Sequence, residues 1–259
     1  MLGNLVKWAV VIGVLFAVTN LGYYGYKAVF VDGYGSGDLA GFSGGNITVV
    51  PAPSPSTSVT GGSLRLAVPF TTQAPLADWG KHQESCEEAN LAQVSAYWSG
   101  NHSAVLDPGV ADRSINALVT WQVKNWGSED DLTDVRLGQL AEAYYGYQYE
   151  VLPMTDETMH AQLRLGRPVI LGVTTHGLGN EHYPGYSTHY LQVGYSVSHF
   201  VTIVGFDGSS YVLNDPGLTP GRGYHVQYDQ LIFAINNLGQ QHPKLNEGLV
   251  MLVIHPKGS

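Results

Sequence analysis

Apolar positions change their rhythm along the chain, and the change divides it. Across residues 87–98, Ala89, Val94 and Tyr97 or Trp98 recur three to five apart among helix formers, which predicts a helix. Residues 112–126 carry Ile115, Leu118, Val119 and Val123 along one face and predict a second. Thr133 is placed to cap a third, which runs to about Tyr145 and stops at Gly146. A fourth starts at Thr155 or Asp156 and is stopped by Gly166 and Pro168. From there the pattern shortens. Residues 168–175, 198–206, 211–214 and 249–254 are β-branched runs bounded by Gly and Asp, and they predict strands. A short run at 66–70 is also strand-like, and one helix, 228–237, interrupts the later strands. Helices first and mainly strands later predict an α+β domain, with helices packed on an antiparallel sheet.

The start of the chain obeys neither rhythm. Residues 8–21 are almost wholly apolar, with Lys7 before them and Tyr23, Tyr24 and Tyr26 after, rings suited to a membrane interface. No clear small-x-small cleavage site follows. Residues 1–31 are therefore expected to be an uncleaved membrane anchor, with a cleaved signal peptide as the alternative. Residues 32–63 are rich in Gly, Ser, Pro and Thr and predict a flexible spacer, since such a stretch cannot bury enough apolar surface to offset its ordering entropy. Residues 64–259 remain as one domain of roughly 195 residues, enough for a single core. The expected location is outside the cytoplasm, tethered to the cell membrane or secreted. A formal charge of −9, with 12 Lys and Arg against 21 Asp and Glu, argues against a nucleic-acid partner.

Composition contributes one further fact. The chain has a single cysteine, Cys86, which in an exported protein has no intramolecular partner. It is a buried thiol, an intermolecular link or a nucleophile. Cys86 lies at the start of the first predicted helix, where unpaired N–H groups and the dipole favour a thiolate. Glu87 and Glu88 suit a helix start, yet their charges oppose a second anion. His199 opens the strand at 198–206, and Asp215 follows at the end of Tyr-Val-Leu-Asn-Asp-Pro. A hairpin could bring them together, subject to parity. If Val201 faces Asp215, the acid shares a face with His199. If Asp207-Gly208 forms a two-residue turn, Asn214 takes that face instead. Either side chain can orient an imidazole.

Four stretches then resemble a known family: Val68-Pro-Phe-Thr-Thr-Gln-Ala-Pro, Glu84-Ser-Cys-Glu-Glu-Ala, Ser198-His-Phe-Val-Thr-Ile-Val-Gly-Phe-Asp and Val212-Leu-Asn-Asp-Pro-Gly. Together they are similar to the bacterial C-39-like peptidase domain, which is related to the double-glycine leader peptidases of bacteriocin exporters and has a papain-like fold. The resemblance implies Cys86 as nucleophile, His199 as general base and acid, and Asp215 as orienting carboxylate, with Asn214 as the alternative. Choosing Asp215 requires an odd connection centred on Asp207-Gly208-Ser209, with Gly208 or a bulge absorbing the extra residue. Leader peptidases place a Gln before the Cys after a Val-Pro-like strand, which implies Gln73 as oxyanion donor, with Gln83 in reserve. The sequence departs from that pattern at Glu87, where leader peptidases usually have Gly. No cofactor and no metal are implied.

The implied substrate is a peptide or protein. Two other functions share the fold: a catalytically silent module that binds a peptide or cell-wall fragment, and a thiol amidase or acyltransferase acting on peptidoglycan stems. His176, His182 and His189 match no metal-ligand spacing and are expected in a loop over the cleft. Tyr144, Tyr145, Tyr147 and Tyr149 are expected at the core and its rim.

Overall fold

The structure, a computed structural model, describes residues 62–179, 197–218 and 221–259. The expected anchor and nearly all of the spacer, together with His182 and His189, lie outside the described residues. Among the described residues no helix is long and apolar enough to cross a membrane.

Side-chain caps set the starts of three of the five helices among the described residues. Helix α1, Cys86–Trp98, has Ser85 at its N-cap and Glu87 and Glu88 in its first turn. Helix α2, Pro108–Trp126, starts ahead of the expected residue 112, because the Asp107 side chain accepts from the Val110 N–H at 2.9 Å and Pro108 pre-sets the first turn. Helix α3, Asp134–Tyr145, is capped by Thr133 and closed by Gly146 in the left-handed region, as its sequence predicts. Helix α4, Asp156–Arg164, opens on a Thr155–Thr158 capping box. Helix α5, Tyr228–Gln241, runs one turn beyond the expected end.

Seven strands form one sheet: β1 Ser63–Arg65, β2 Gln148–Pro153, β3 Val169–Thr174, β4 Ser198–Asp207, β5 Ser210–Asn214, β6 Arg222–Gln227 and β7 Val250–His255. The order is β2-β7-β3-β4-β5-β6, every pairing is antiparallel, and β1 pairs with the far end of β4. The strand-like run at 66–70 forms no strand. Its backbone bonds instead to single partners, Leu66 N–H to Val204 O at 2.8 Å and Phe70 N–H to Ala104 O at 3.1 Å.

Alternation along β3 and β4 sorts the core into two layers. Leu171, Val173, Val201 and Ile203 face α4 and α5 through Met159, Leu163, Leu231 and Ala234. Ile170 and Phe200 face the other way and pack with Cys86, Leu91, Leu118 and Leu140 of α1, α2 and α3. The domain is thus α+β, with helices on both faces of an antiparallel sheet. Tyr145, Tyr147 and Tyr149 pack against the second layer, and Tyr144 stays on the surface.

Candidate active site

Strand β5 pairs with β4 only between Thr202 and Asp207, so the preceding stretch of β4 has an open edge on that side. The start of α1 occupies it. Asn90 Nδ2 donates to Phe200 O at 2.9 Å and to Cys86 O at 2.8 Å, and Thr202 Oγ1 donates to Asn90 Oδ1 at 2.5 Å. The Phe200 N–H favours the ionised form of the Cys86 thiol. A backbone edge that would otherwise be unsatisfied thereby holds the thiol one residue from His199.

His199 lies on the opposite face of β4 from Phe200 and is buried. Its Nε2 donates to Asp215 Oδ1 at 2.8 Å. Asp215 is fixed by its own turn: the same oxygen accepts the Gly217 N–H at 3.0 Å, and the Asp215 N–H donates to Gly221 O at 2.8 Å. Parity is settled by a bulge. The hairpin turn is a tight two-residue one, Gly208-Ser209, with Asp207 opposite Ser210 and Gly208 at φ 60°. The three-residue turn expected at Asp207-Gly208-Ser209 is therefore absent. The extra residue is taken up at Val204, where the register shifts between Ile203 and Gly205. Thr202 then faces Asn214, and Asp215, just beyond the last pair, bonds His199. Asn214, the alternative partner for the imidazole, points to the other face, where its Nδ2 donates to Gln93 Oε1 at 3.0 Å.

Gln73 reaches the same corner, with its N–H on Pro216 O at 2.9 Å. Its amide is already engaged: Nε2 donates to His82 O and to Gln83 O, both at 2.8 Å. Gln83 is exposed and contributes its carbonyl, not its side chain, to this arrangement. The loop carrying these carbonyls is braced by buried His82, whose Nδ1 meets Ser85 Oγ at 3.2 Å and whose Nε2 meets Asp112 Oδ1 at 2.9 Å.

Residues 65–240 match the sequence profile of the Peptidase_C39 like family. The chain belongs to that family. Among curated proteins nothing matches. A crystal structure of a candidate C39-like peptidase from Bacillus anthracis resembles the chain at a TM-score of 0.45 and 16% identity, covering 77% of this chain and 100% of that one.

What the sequence does not disclose about this family member is how acidic the surroundings of the thiol are. Cys86 Sγ donates to Glu87 Oε2 at 2.9 Å, and Glu87 Oε1 accepts the Leu132 N–H at 3.0 Å. Glu87 is 2% exposed, although two acids at a helix start read as solvated dipole partners. Asp131, beside Leu132, accepts from Ser198 Oγ at 2.7 Å, just ahead of His199. Burial pushes the Cys86 thiol well up from its ordinary range; Glu87 and Asp131 reinforce the rise, and the Phe200 N–H opposes it. The thiolate expected from the helix dipole is thus outweighed by desolvation and like charge. Burial raises Glu87 as well, and raises Glu88 to about 7. Partial desolvation together with Asp131 and Glu129 raises Glu84 to about 7. Burial followed by the charge of Glu247 does the same for Asp134. Of the three loop histidines, only His176 is among the described residues. The described residues hold no group of three metal-ligating side chains that could bind an ion.

Proposed function

We propose that the protein is an extracytoplasmic cysteine peptidase that hydrolyses peptide bonds, with Cys86 as nucleophile, His199 as proton carrier and Asp215 as its orienting carboxylate. The observation that carries this reading is the buried His199–Asp215 pair at 2.8 Å, one residue from Phe200, whose carbonyl shares the Asn90 amide with the Cys86 carbonyl. With Nε2 held by Asp215, Nδ1 is the nitrogen that takes the thiol proton as Sγ attacks the carbonyl carbon. The same proton passes to the leaving amine. Water then cleaves the thioester, with His199 acting again as base. The Cys86 N–H and one Gln73 hydrogen, exchanged from a carbonyl of the 82–83 loop, are proposed to hold the oxyanion, each contributing about 3–4 kcal/mol. The steps need no cofactor. Residues 1–31 are proposed to anchor the protein in the membrane, and 32–63 to hold the domain away from it.

Labelling of Cys86 by a thiol-reactive peptide-like probe near neutral pH tests the dyad. His199→Ala is expected to slow labelling by about a hundredfold or more, the usual contribution of a general base. Equal labelling with and without His199 removes it. The Glu87 contact favours a second reading, a silent module that binds peptides or cell-wall fragments, since a thiol tied to a carboxylate is a poor nucleophile. That reading expects peptide binding without labelling. A labelled enzyme that releases only peptidoglycan-stem products would make it an amidase or acyltransferase.

A further inference from the structure

The proposed nucleophile does not rest in an open setting. Its hydrogen is accepted by Glu87 Oε2 at 2.9 Å, and the second oxygen of that carboxylate is pinned by the Leu132 N–H at 3.0 Å. Leu132 belongs to the connection 127–133 between α2 and α3, and its neighbour Asp131 accepts from Ser198 Oγ at 2.7 Å, at the start of the His199 strand. One short connection therefore grips both the carboxylate on the thiol and the strand that carries the base. The charged groups that act on the thiol are Glu87 from α1 and Asp131 from the connection; Glu88 acts on Glu87, Glu84 and Glu129 extend the acidic set around Asp131 and Glu88, and His199 opens β4. The ion pairs among the described residues give none of these acids a lysine or arginine partner. His199, which opens the neighbouring strand, has its Nε2 on Asp215.

We propose that Glu87, held in place by the Leu132 N–H of the 127–133 connection, is a positioning residue that keeps the Cys86 thiol protonated at rest. Burial raises Glu87, while the Cys86 S–H and the Leu132 N–H favour its ionised form; once Glu87 is ionised, losing the thiol proton would place two negative charges in one buried corner, so the pair keeps a proton between sulfur and carboxylate. The neutral thiol is the resting form, and His199 draws the proton off once that hold loosens. This rests on Cys86 being the nucleophile, yet both readouts below are independent of turnover.

Because the chain has a single cysteine, the wild-type protein shows one S–H stretching band in the infrared. At pH 7 that band is expected to be present, shifted to the low frequency of a strong S–H···O bond, and absent in Cys86→Ala. A missing band, or one at the frequency of a free thiol, overturns the proposal without any Glu87 variant. Glu87→Gln is expected to lower the pKa read from the pH dependence of iodoacetamide alkylation by at least about one unit. The rate at pH 7 should rise about tenfold with it. An unchanged or higher pKa in the folded variant overturns the proposal; if the variant does not fold, the infrared band decides. Peptide hydrolysis that is absent while both readouts hold would count against the peptidase reading and leave the Glu87 contact standing.

Discussion

Asp215 and Asn214 are neighbours with opposite duties, and the strand period separates them. Asp215 bonds His199 on one face, whereas Asn214 bonds Gln93 of α1 on the other. Asp215→Asn should leave the melting curve near wild type and lower kcat by about 10²–10⁴, since an amide oxygen can orient the imidazole but lacks the charge that stabilises the imidazolium. Asn214→Ala should do the reverse: it strands a buried Gln93 oxygen, at a cost of roughly 1–3 kcal/mol, while kcat in the folded protein stays within a few-fold. Measuring kcat and melting temperature for both decides the assignment, and the opposite ranking would move the orienting role to Asn214. The places of Cys86, His199 and Asp215, the proposed triad, were legible because each stands at the end of an element whose rhythm can be read. Glu87 and Asp131 were not, because burial of a charge depends on what folds over it. The 127–133 connection that covers Glu87 has no pattern of its own.

Elements were legible in proportion to their caps and their burial. Thr133 and Gly146 bracket α3 where the sequence puts them, while β2 and β6 escaped notice for a common reason. Both lie at the ends of the sheet order, are mostly unburied, and so carry no run of β-branched residues. β1 is three residues long, too short for any period. The Val204 bulge was foreseeable as an option, but its place was not, since Ile203, Val204 and Gly205 read as ordinary strand. The link between β5 and β6 carries the next prediction. Gly221 O accepts the Asp215 N–H, and a Cβ at Gly221 would overlap the Asp215 carbonyl. Gly221→Ala must therefore shift the turn that aims the carboxylate. It is expected to cut kcat by about tenfold or more in a protein that still shows a cooperative melt, because a small misplacement of the proposed orienting carboxylate is costly. Wild-type kcat in that variant would mean that Asp215 does not depend on this turn.

At the scale of the whole molecule, the buried acids give the fold a pH dependence whose sign follows from their direction. Glu88 and Asp134 rise from ordinary values of 4.5 and 3.8 to about 7, chiefly through burial. Each binds its proton more tightly when folded, so its contribution to stability is complete below about pH 4 and is lost as the pH climbs through about 7. Glu88 shows why the protonated form suits the site. Gln122 Nε2 donates to Glu88 Oε1, leaving Glu88 Oε2 and Gln122 Oε1 buried without a hydrogen-bond partner. A proton on the one can bond the other and close an acid–amide ring between α1 and α2, whereas an ionised Glu88 sets two acceptors against each other. The melting temperature is therefore expected to fall between pH 5.5 and 8.5, by roughly 4–8 °C for a loss on the order of 2 kcal/mol in a domain of this size. Glu88→Gln offers the same ring at every pH, as an amide–amide pair. It should melt above wild type at pH 8.5 and take a measurable part of the slope with it. A Glu88→Gln profile parallel to wild type across that window would show that Glu88 is ionised in the folded protein and that the slope comes from elsewhere.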